Sequence, residues 1–597
     1  MKAKFIIFFF LLFSKLIWAQ EVELKDNPLK EGGIIITLFI LGILFIFILT
    51  LIFIRINQYF VKIENRISYQ KATKLVDYLR LLPKEEAKTL IQGMMAKKTF
   101  KLPGNILRGR TEPQDVLGLL NVQPSNVPFF KFKKSNQIEI PVSPELKKLV
   151  FAYLLTATFW LLFGTTVGAY LAVKFIAPDV DDLAWLNFGR IRPVHTNSVF
   201  WGWSSLGMIG LAYFCVPRVG NNRLYSYKLG WWTLILINVC VLLGSITLMM
   251  GINNGGGEYR EYIWPIMMLF IIGIVLTLFN FWKTIAMRKT KEIYISNWYI
   301  LAAFMFFTVV GLVGFLPFWQ TGLGETIIQG YYMHQAVGMW FMMLTLGLIY
   351  FYLPFALDKP IFSYSLGVLA FWTQILFYTL IGTHHFVFSA IPWWLQTVAI
   401  FGSIGMIIPV VAGTTNFIMT FRNGWYKLST SYVLPFFLAG IVFYFTGSMQ
   451  GTAEAFRSAN LIWHFTDFTV AHSHLTMYGI IAFFIWAGIY AIVPRITQKE
   501  TSKVFIGLHF WFALIGLMVQ VIPLMYGGTL RGYYWIEKLP FIGSVELMAP
   551  YWLWRAIGGT LMWISHFVFA YNLYQMIYGR DKRDVAHNLE TVLSEQT

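Results

Sequence analysis

The sequence predicts an all-α integral membrane protein, with twelve spanning helices in one bundle and one extra transmembrane helix at the N-terminal end. Three observations predict it. Apolar residues make up 57% of the 597 and charged residues only 13%, where a soluble domain carries about 25% charge. Apolar runs of roughly 20 residues, enough to cross a bilayer, follow one another from residue 147 onward. Lys and Arg gather in alternate connecting loops, as orientation by the positive-inside rule requires.

Each segment has its reason. Residues 1–20 read as a secretory signal, with Lys2 and Lys4 ahead of an apolar run at 5–13 and Ala19 near a cut site. Residues 21–56 contain a short outer segment and the extra span, 33–56, which closes on Arg55. Residues 57–146 are basic and of mixed polarity, a cytoplasmic segment whose role the residues do not reveal. The twelve expected spans are 147–174, 194–217, 228–251, 262–283, 296–319, 328–354, 363–388, 393–421, 430–449, 465–494, 503–526 and 551–578, within a domain at 147–578. A cytoplasmic tail, 579–597, follows.

The loops orient the bundle. Arg218, Arg223 and Lys228, then Lys283, Arg288, Lys289 and Lys291, then Lys359, Arg422, Lys427, Arg495 and Lys499 fall in even-numbered loops. The intervening loops carry Asp179, Asp181, Asp182, Glu258, Glu261, Glu325 and Glu454. Even loops are therefore cytoplasmic. This distribution accounts for the net charge of +18 without nucleic-acid binding. Cys215 and Cys240, the two cysteines, sit in apolar runs and form no CxxC or CxxCH, which excludes covalent c-type haem, iron–sulfur clusters and zinc ribbons.

Polar residues in a bilayer are costly and point to function. Of ten histidines, His195, His334, His384, His385, His472 and His474 all fall in the outer half of the expected membrane. Structural histidines would be scattered over both halves; one metal-bearing layer explains the grouping. His472 and His474, two apart on a helix, point about 200° from each other and can serve different cofactors. His384 and His385 can converge with His334, and three imidazoles with an open position suit a copper that binds a small ligand. His195 with one residue of the tenth span would close a haem to ligands; the other, alone, would leave a haem open. Tyr378 lies seven residues before His385, two helical turns away on nearly the same face, and could supply an electron and a proton there. His509 and His566 match neither role.

The stretches IRPVHTNSVF (191–200), GGGEYREYIWPI (255–266), MHQAVGMWF (333–341), FYTLIGTHHFVFSAIPWWLQT (377–397), WHFTDFTVAHSH (463–474) and YWLWRAIGGTL (551–561) resemble subunit I of the haem–copper oxidases, most of all the C-type, or cbb3-type, cytochrome c oxidases. The resemblance covers about 146–580. It implies that His195 and His474 ligate a low-spin haem b, His472 a high-spin haem b, and His334, His384 and His385 a copper. It places Tyr378 where the family has a tyrosine linked covalently to a copper-ligand histidine. Glu258 and Glu261 fall near the haem propionates and a bound calcium, His464 beside a propionate, and Tyr350 on the proton-uptake path from the cytoplasm. The implied protein is the catalytic subunit of a respiratory oxidase in the bacterial inner membrane. It reduces dioxygen to water with electrons from partner subunits that bear cytochrome c.

There are departures. Gln450 stands where the family has a glutamate near the binuclear centre, Gly367 where a pathway serine is expected, and LTMYG after His474 is nearer to the nitric oxide reductases. A nitric oxide reductase with haem and non-haem iron is therefore the first alternative, and a non-catalytic haem protein or transporter the second. Tyr378, and Gln335-Ala336-Val337-Gly338 where the reductases carry glutamate, favour oxygen.

Overall fold

The computed structural model describes residues 77–87 and 142–579, apart from 256, 319, 320 and 430. The expected signal segment, the extra helix at 33–56, most of the basic segment and the tail lie outside these. The described residues are helical, with no strand among them. The long helices are α1 (Pro144–Ile176), α2 (Phe188–Val219), α3 (Tyr227–Met249), α4 (Trp264–Ala286), α5 (Ile295–Phe315) and α6 (Gly322–Leu357). They continue as α7 (Tyr364–Tyr378), α8 (Trp393–Thr420), α9 (Leu434–Glu454), α10 (Asp467–Thr497), α11 (Lys503–Ile536) and α12 (Phe541–Tyr578).

Ten of these are long and apolar enough to cross a membrane. Helix α7 is shorter, and α12 is less apolar, with polar residues along its length such as Glu546, Arg555, His566 and Asn572, so length and composition support ten of the expected twelve crossings. The apolar windows of α2, α6 and α10 are 94, 94 and 89% buried, against 39–56% for the other spans. Three inner helices are thus ringed by outer ones. The outer helices turn Trp232, Ile235, Leu242, Phe279 and Trp511 outward, as a lipid solvent permits.

The inner helices share a construction. Each runs as α-helix past its histidine and then widens into a π segment: Ser198–Ser204 after His195, Ala336–Met342 after His334, and Met477–Ala482 after His474. Such segments interrupt the regular ladder and recur at functional sites. Each inner helix also ends just past a proline, Pro217, Pro354 or Pro494.

The outer pairs repeat a clamp. Asn280 of α4 accepts from the Ser226 amide at 3.0 Å and donates to its carbonyl at 2.8 Å, while Thr284 receives the Tyr225 amide. Asn416 and Thr420 of α8 do the same for Ser363 and Phe362. Ser226 and Ser363 are also the N-caps of α3 and α7, so each clamp fixes a helix start against its neighbour.

One expected element differs. The seventh span, read as 363–388, stops at Tyr378, and His384 and His385 lie on a separate 3₁₀ turn, Gly382–Phe386. The chain crosses α6 too closely for a helix to continue. A Cβ on Gly382 would lie 2.7 Å from the Tyr331 Cα, and one on Gly330 would lie 2.9 Å from the Gly382 carbonyl.

Candidate metal centre

The turn after α7 and the first half of α6 bring three imidazoles together. The ligand atoms of His334, His384 and His385 lie within 4.8 Å of one another, and the ring centroids are 4.5–4.9 Å apart. Ser403 of α8 orients one of them. Its Oγ donates to the Ala399 carbonyl at 2.8 Å, so the same oxygen accepts from Nδ1 of His384 at 2.6 Å. That bond fixes the tautomer and leaves Nε2 bare. Buried Nδ1 of His334 has no hydrogen-bonding partner. Three neutral donors with bare nitrogens turned together form a fit for a soft-to-borderline metal ion.

Tyr378 reaches this group by another path than the sequence suggests. The helix ends at Tyr378, so the two-turn spacing to His385 does not apply. Instead its ring packs on His334, with centroids 5.1 Å apart. Gln335 holds it from the main chain, Nε2 donating to the Tyr378 carbonyl at 2.5 Å.

His195 and His474 line a second cleft, enclosing about 990 Å³ of free space with part of it open outward. Nδ1 of His195 is 2.7 Å from the Gly164 carbonyl and Nδ1 of His474 is 2.8 Å from the Val470 carbonyl. A carbonyl only accepts, so both Nδ1 atoms carry the proton and both Nε2 atoms are free for iron. Gly168 gives the first ring its room, since a Cβ there would lie 2.5 Å from it. A flat group held between two imidazoles fits this cleft, and Arg555 on its wall offers positive charge.

His472 leaves the same helix on the other side. Its Nδ1 faces α9, 3.0 Å from Oε1 of Gln450, and Gly451 keeps side-chain atoms away from Nε2. His472 is near enough to His334, His384 and His385 to interact electrostatically with each. The 200° divergence read from the spacing is thus present in the fold.

The loop before α4 lies over these sites. Glu258 pairs with Arg192, and Asn197 donates to Oε2 of Glu261 at 2.9 Å. Three residues on one face of α6 tie the loop down: Glu325 to Arg260, Gln329 to the Glu258 carbonyl at 3.0 Å, and Tyr332 to the Tyr259 carbonyl at 2.9 Å. Buried Oε1 of Glu261 has no hydrogen-bonding partner. Burial pushes the Glu261 carboxyl up to about 7, against the pull of Asn197 and Arg192. His464 is half-buried and stacked on Phe465.

Tyr350, deeper on α6, is buried with no hydrogen-bonding partner on its hydroxyl. Gly367 does face it, since a Cβ there would lie 3.3 Å from the Tyr350 ring.

The two excluded histidines are deeply buried, although His566 lines the cleft of His195 and His474. His509 and His566 are 0 and 1% exposed, whereas His384 is 8% exposed and the other expected ligands are exposed further. Both nitrogens of His566 are engaged, by Thr165 at 3.1 Å and Tyr478 at 3.1 Å. His509 bonds Tyr490 at 3.0 Å inside a cage of Phe436, Trp486 and Phe569.

Residues 148–561 match the family of cytochrome c and quinol oxidase polypeptide I. The chain belongs to that family. This oxidase subunit is 29% identical over 449 residues to a protein of Stutzerimonas stutzeri described as cbb3-type cytochrome c oxidase subunit CcoN1, covering 72% of this chain and 94% of the relative. It is likewise 29% identical over 445 residues to a cytochrome c oxidase subunit 1 homolog of Azorhizobium caulinodans, covering 71 and 80%. In fold it is similar to a haem–copper terminal oxidase dimer solved by cryo-EM, with a TM-score of 0.63 at 16% identity, covering 74% of this chain and 86% of that one. The oxidase subunit is thus a multi-pass bacterial membrane protein and an oxidoreductase of a family that carries haems and copper. One of its supporting residues escaped the sequence reading, Ser403, because a serine in an apolar run carries no signal of its own.

Proposed function

We propose that this chain is the catalytic subunit of a respiratory oxidase that reduces dioxygen to water, taking electrons from cytochrome c and protons from the cytoplasm. The all-histidine cluster with the Tyr378 phenol against it carries the reading. Non-haem iron prefers an added carboxylate, and the cluster of His334, His384 and His385 contains none.

Two b haems and a copper, when bound, supply the one-electron steps and the open position at which the gas reacts. When bound, the low-spin haem would be held by His195 and His474 through Nε2. The high-spin haem would be held by His472, and the copper by His334, His384 and His385. Tyr378 keeps a proton and an electron beside the copper ligands. Tyr350 relays protons from the cytoplasmic side; Gly367, facing it, adds no hydroxyl to that route. Glu258, Glu261 and His464 would serve the haem propionates and a calcium, with buried Oε1 of Glu261 left without a hydrogen-bonding partner.

Lacking a c haem of its own, the subunit receives electrons from membrane subunits that bear cytochrome c, and its metal layer faces the periplasm. The test is metal and haem analysis of the purified complex, with oxygen and nitric oxide consumption measured side by side. Two b haems, one copper and oxygen consumption are expected. Iron in the triad with nitric oxide consumption would replace this reading by a reductase. A reduced spectrum unchanged by carbon monoxide would replace it by a non-catalytic haem protein.

A further inference from the structure

Nothing at the oxygen site uses His509. It ends a buried chain of hydrogen bonds that joins α10, α11 and α12. Thr501 donates to Oδ1 of Asn572 at 2.9 Å, and Nδ2 of Asn572 donates to the Tyr490 oxygen at 2.9 Å. The Tyr490 hydroxyl gives its own proton to Nδ1 of His509, 3.0 Å away; the reverse arrangement would leave the phenol proton without an acceptor. Around His509 are the rings of Trp486, Phe436 and Phe569, with centroids 4.5, 5.2 and 5.2 Å from its own. Aromatic faces attract positive charge, so the imidazole can take a second proton there without a carboxylate.

The same rings lead to the cleft of His195 and His474. Tyr478 lines that cleft, and its centroid is 5.2 Å from that of Trp486, which packs on His509. Tyr490 follows at 5.8 Å from His509. Oxidisable side chains thus run in ring contact from the cleft wall to Tyr490.

We propose that Tyr490 is a redox site, oxidised from the cleft through Tyr478 and Trp486, with His509 as its proton acceptor. One electron leaves Tyr490 for a haem centre oxidised by dioxygen or a peroxide, which is reduced by that electron. The phenol O–H breaks and an N–H forms at Nδ1 of His509. A neutral phenoxyl radical stays on Tyr490 and an imidazolium on His509. An electron arriving later reverses both transfers. The pair holds one oxidising equivalent away from the oxygen site while electrons are short. The inference rests on the oxidase reading, because the oxygen site supplies the oxidant.

The test treats the oxidised holo-complex with hydrogen peroxide and reads freeze-quench EPR, with both haems and copper counted in every variant. Tyr378→Phe is the background, since Tyr378 lies against His334 and would give a radical of its own. A tyrosyl signal is expected in that background and should be lost when Tyr490→Phe is added. His509→Gln keeps a hydrogen-bond acceptor but no base, so it should also lose the signal with Tyr490 in place. A signal that survives Tyr490→Phe, or one indifferent to His509→Gln, overturns the inference. If Tyr490→Phe does not assemble, His509→Gln decides alone; failure of both to assemble makes the pair structural and overturns it as well. A haem spectrum unchanged by peroxide would bring down the oxidase reading itself, whereas a changed spectrum without a tyrosyl signal would overturn this inference alone.

Discussion

The ring of Tyr378, the last residue of α7, rests against the imidazole of His334 on α6, with centroids 5.1 Å apart. The phenol is therefore joined to the histidine cluster by packing across two helices. Replacement by Phe removes one hydroxyl and leaves that packing. Tyr378→Phe should keep haem and copper content normal while oxygen reduction falls by orders of magnitude. Oxygen turnover near wild type in the fully metallated variant would refute the role given to the phenol.

Behind that ring is Gly338, in the π segment of α6. A Cβ there would lie 1.6 Å from a carbon of the Tyr378 ring, deep inside any contact distance. Gly338→Ala must displace either the ring or the helix. Loss of oxygen reduction comparable to Tyr378→Phe is expected, with both haems retained in the spectrum. Wild-type turnover would show that the ring has somewhere else to go.

Ser403 gives the most graded prediction. It accepts from Nδ1 of His384, and loss of such an orienting bond costs metal sites about 10–100-fold in affinity. Ser403→Ala should need that much more free copper for half-occupancy, measured by reconstitution of copper-depleted complex. Unchanged affinity would mean that the turn at Gly382–Phe386 orients the ring unaided.

The histidines themselves should sort into three behaviours. His195→Ala should abolish the low-spin haem spectrum and leave copper in place, while His334→Ala should lose copper and leave both haems. His509→Gln and His566→Gln should retain every metal, since His509 bonds Tyr490 inside an aromatic cage and both nitrogens of His566 are taken by Thr165 and Tyr478. Loss of one specific centre in either control, without general unfolding, would contradict the sorting.

Asp181, in the connection from α1 to α2, supplies a pH prediction. Burial raises its carboxyl, but Lys174 at 2.6 Å, the Tyr170 hydroxyl and the Leu183 amide outweigh burial and hold it below its ordinary range. A lowered folded-state pKa adds stability above the unfolded value of about 4, and that stability is lost as pH falls through the folded value. Asp181→Asn should therefore lower the thermal midpoint of the complex near neutrality and converge with wild type in strong acid. A constant offset at every pH would assign the loss to packing.

Most of the bundle was legible because a bilayer leaves so few solutions: an apolar run of the right length must form a helix, and a basic loop marks its side. The six candidate histidines stood out for the related reason that polar groups at one depth need a common cause. What escaped detection depended on backbone geometry that composition does not encode. The spacing from Tyr378 to His385 assumed a continuous helix, but the close pass of Gly382 over Tyr331 ends it. The π segments are invisible to hydropathy, which averages over their extra residue. Ser403 gained meaning only once the fold brought α8 to the histidines.

The order of the helices around the bundle bears on how the protein is made. His334, His384, His385 and Ser403 come from α6 to α8, a continuous middle stretch of the chain. The cleft of His195 and His474 is walled by residues of α1, α2, α10, α11 and α12, including Gly168, Gln520, Arg555 and His566, so it closes only when the first and last helices meet. During synthesis the histidine triad can form while the ribosome is still on the later helices. The bis-histidine cleft must wait until the C-terminal helix has left the translocon. The linear chain thereby orders the two sites, with the histidine triad complete early and the bis-histidine cleft last.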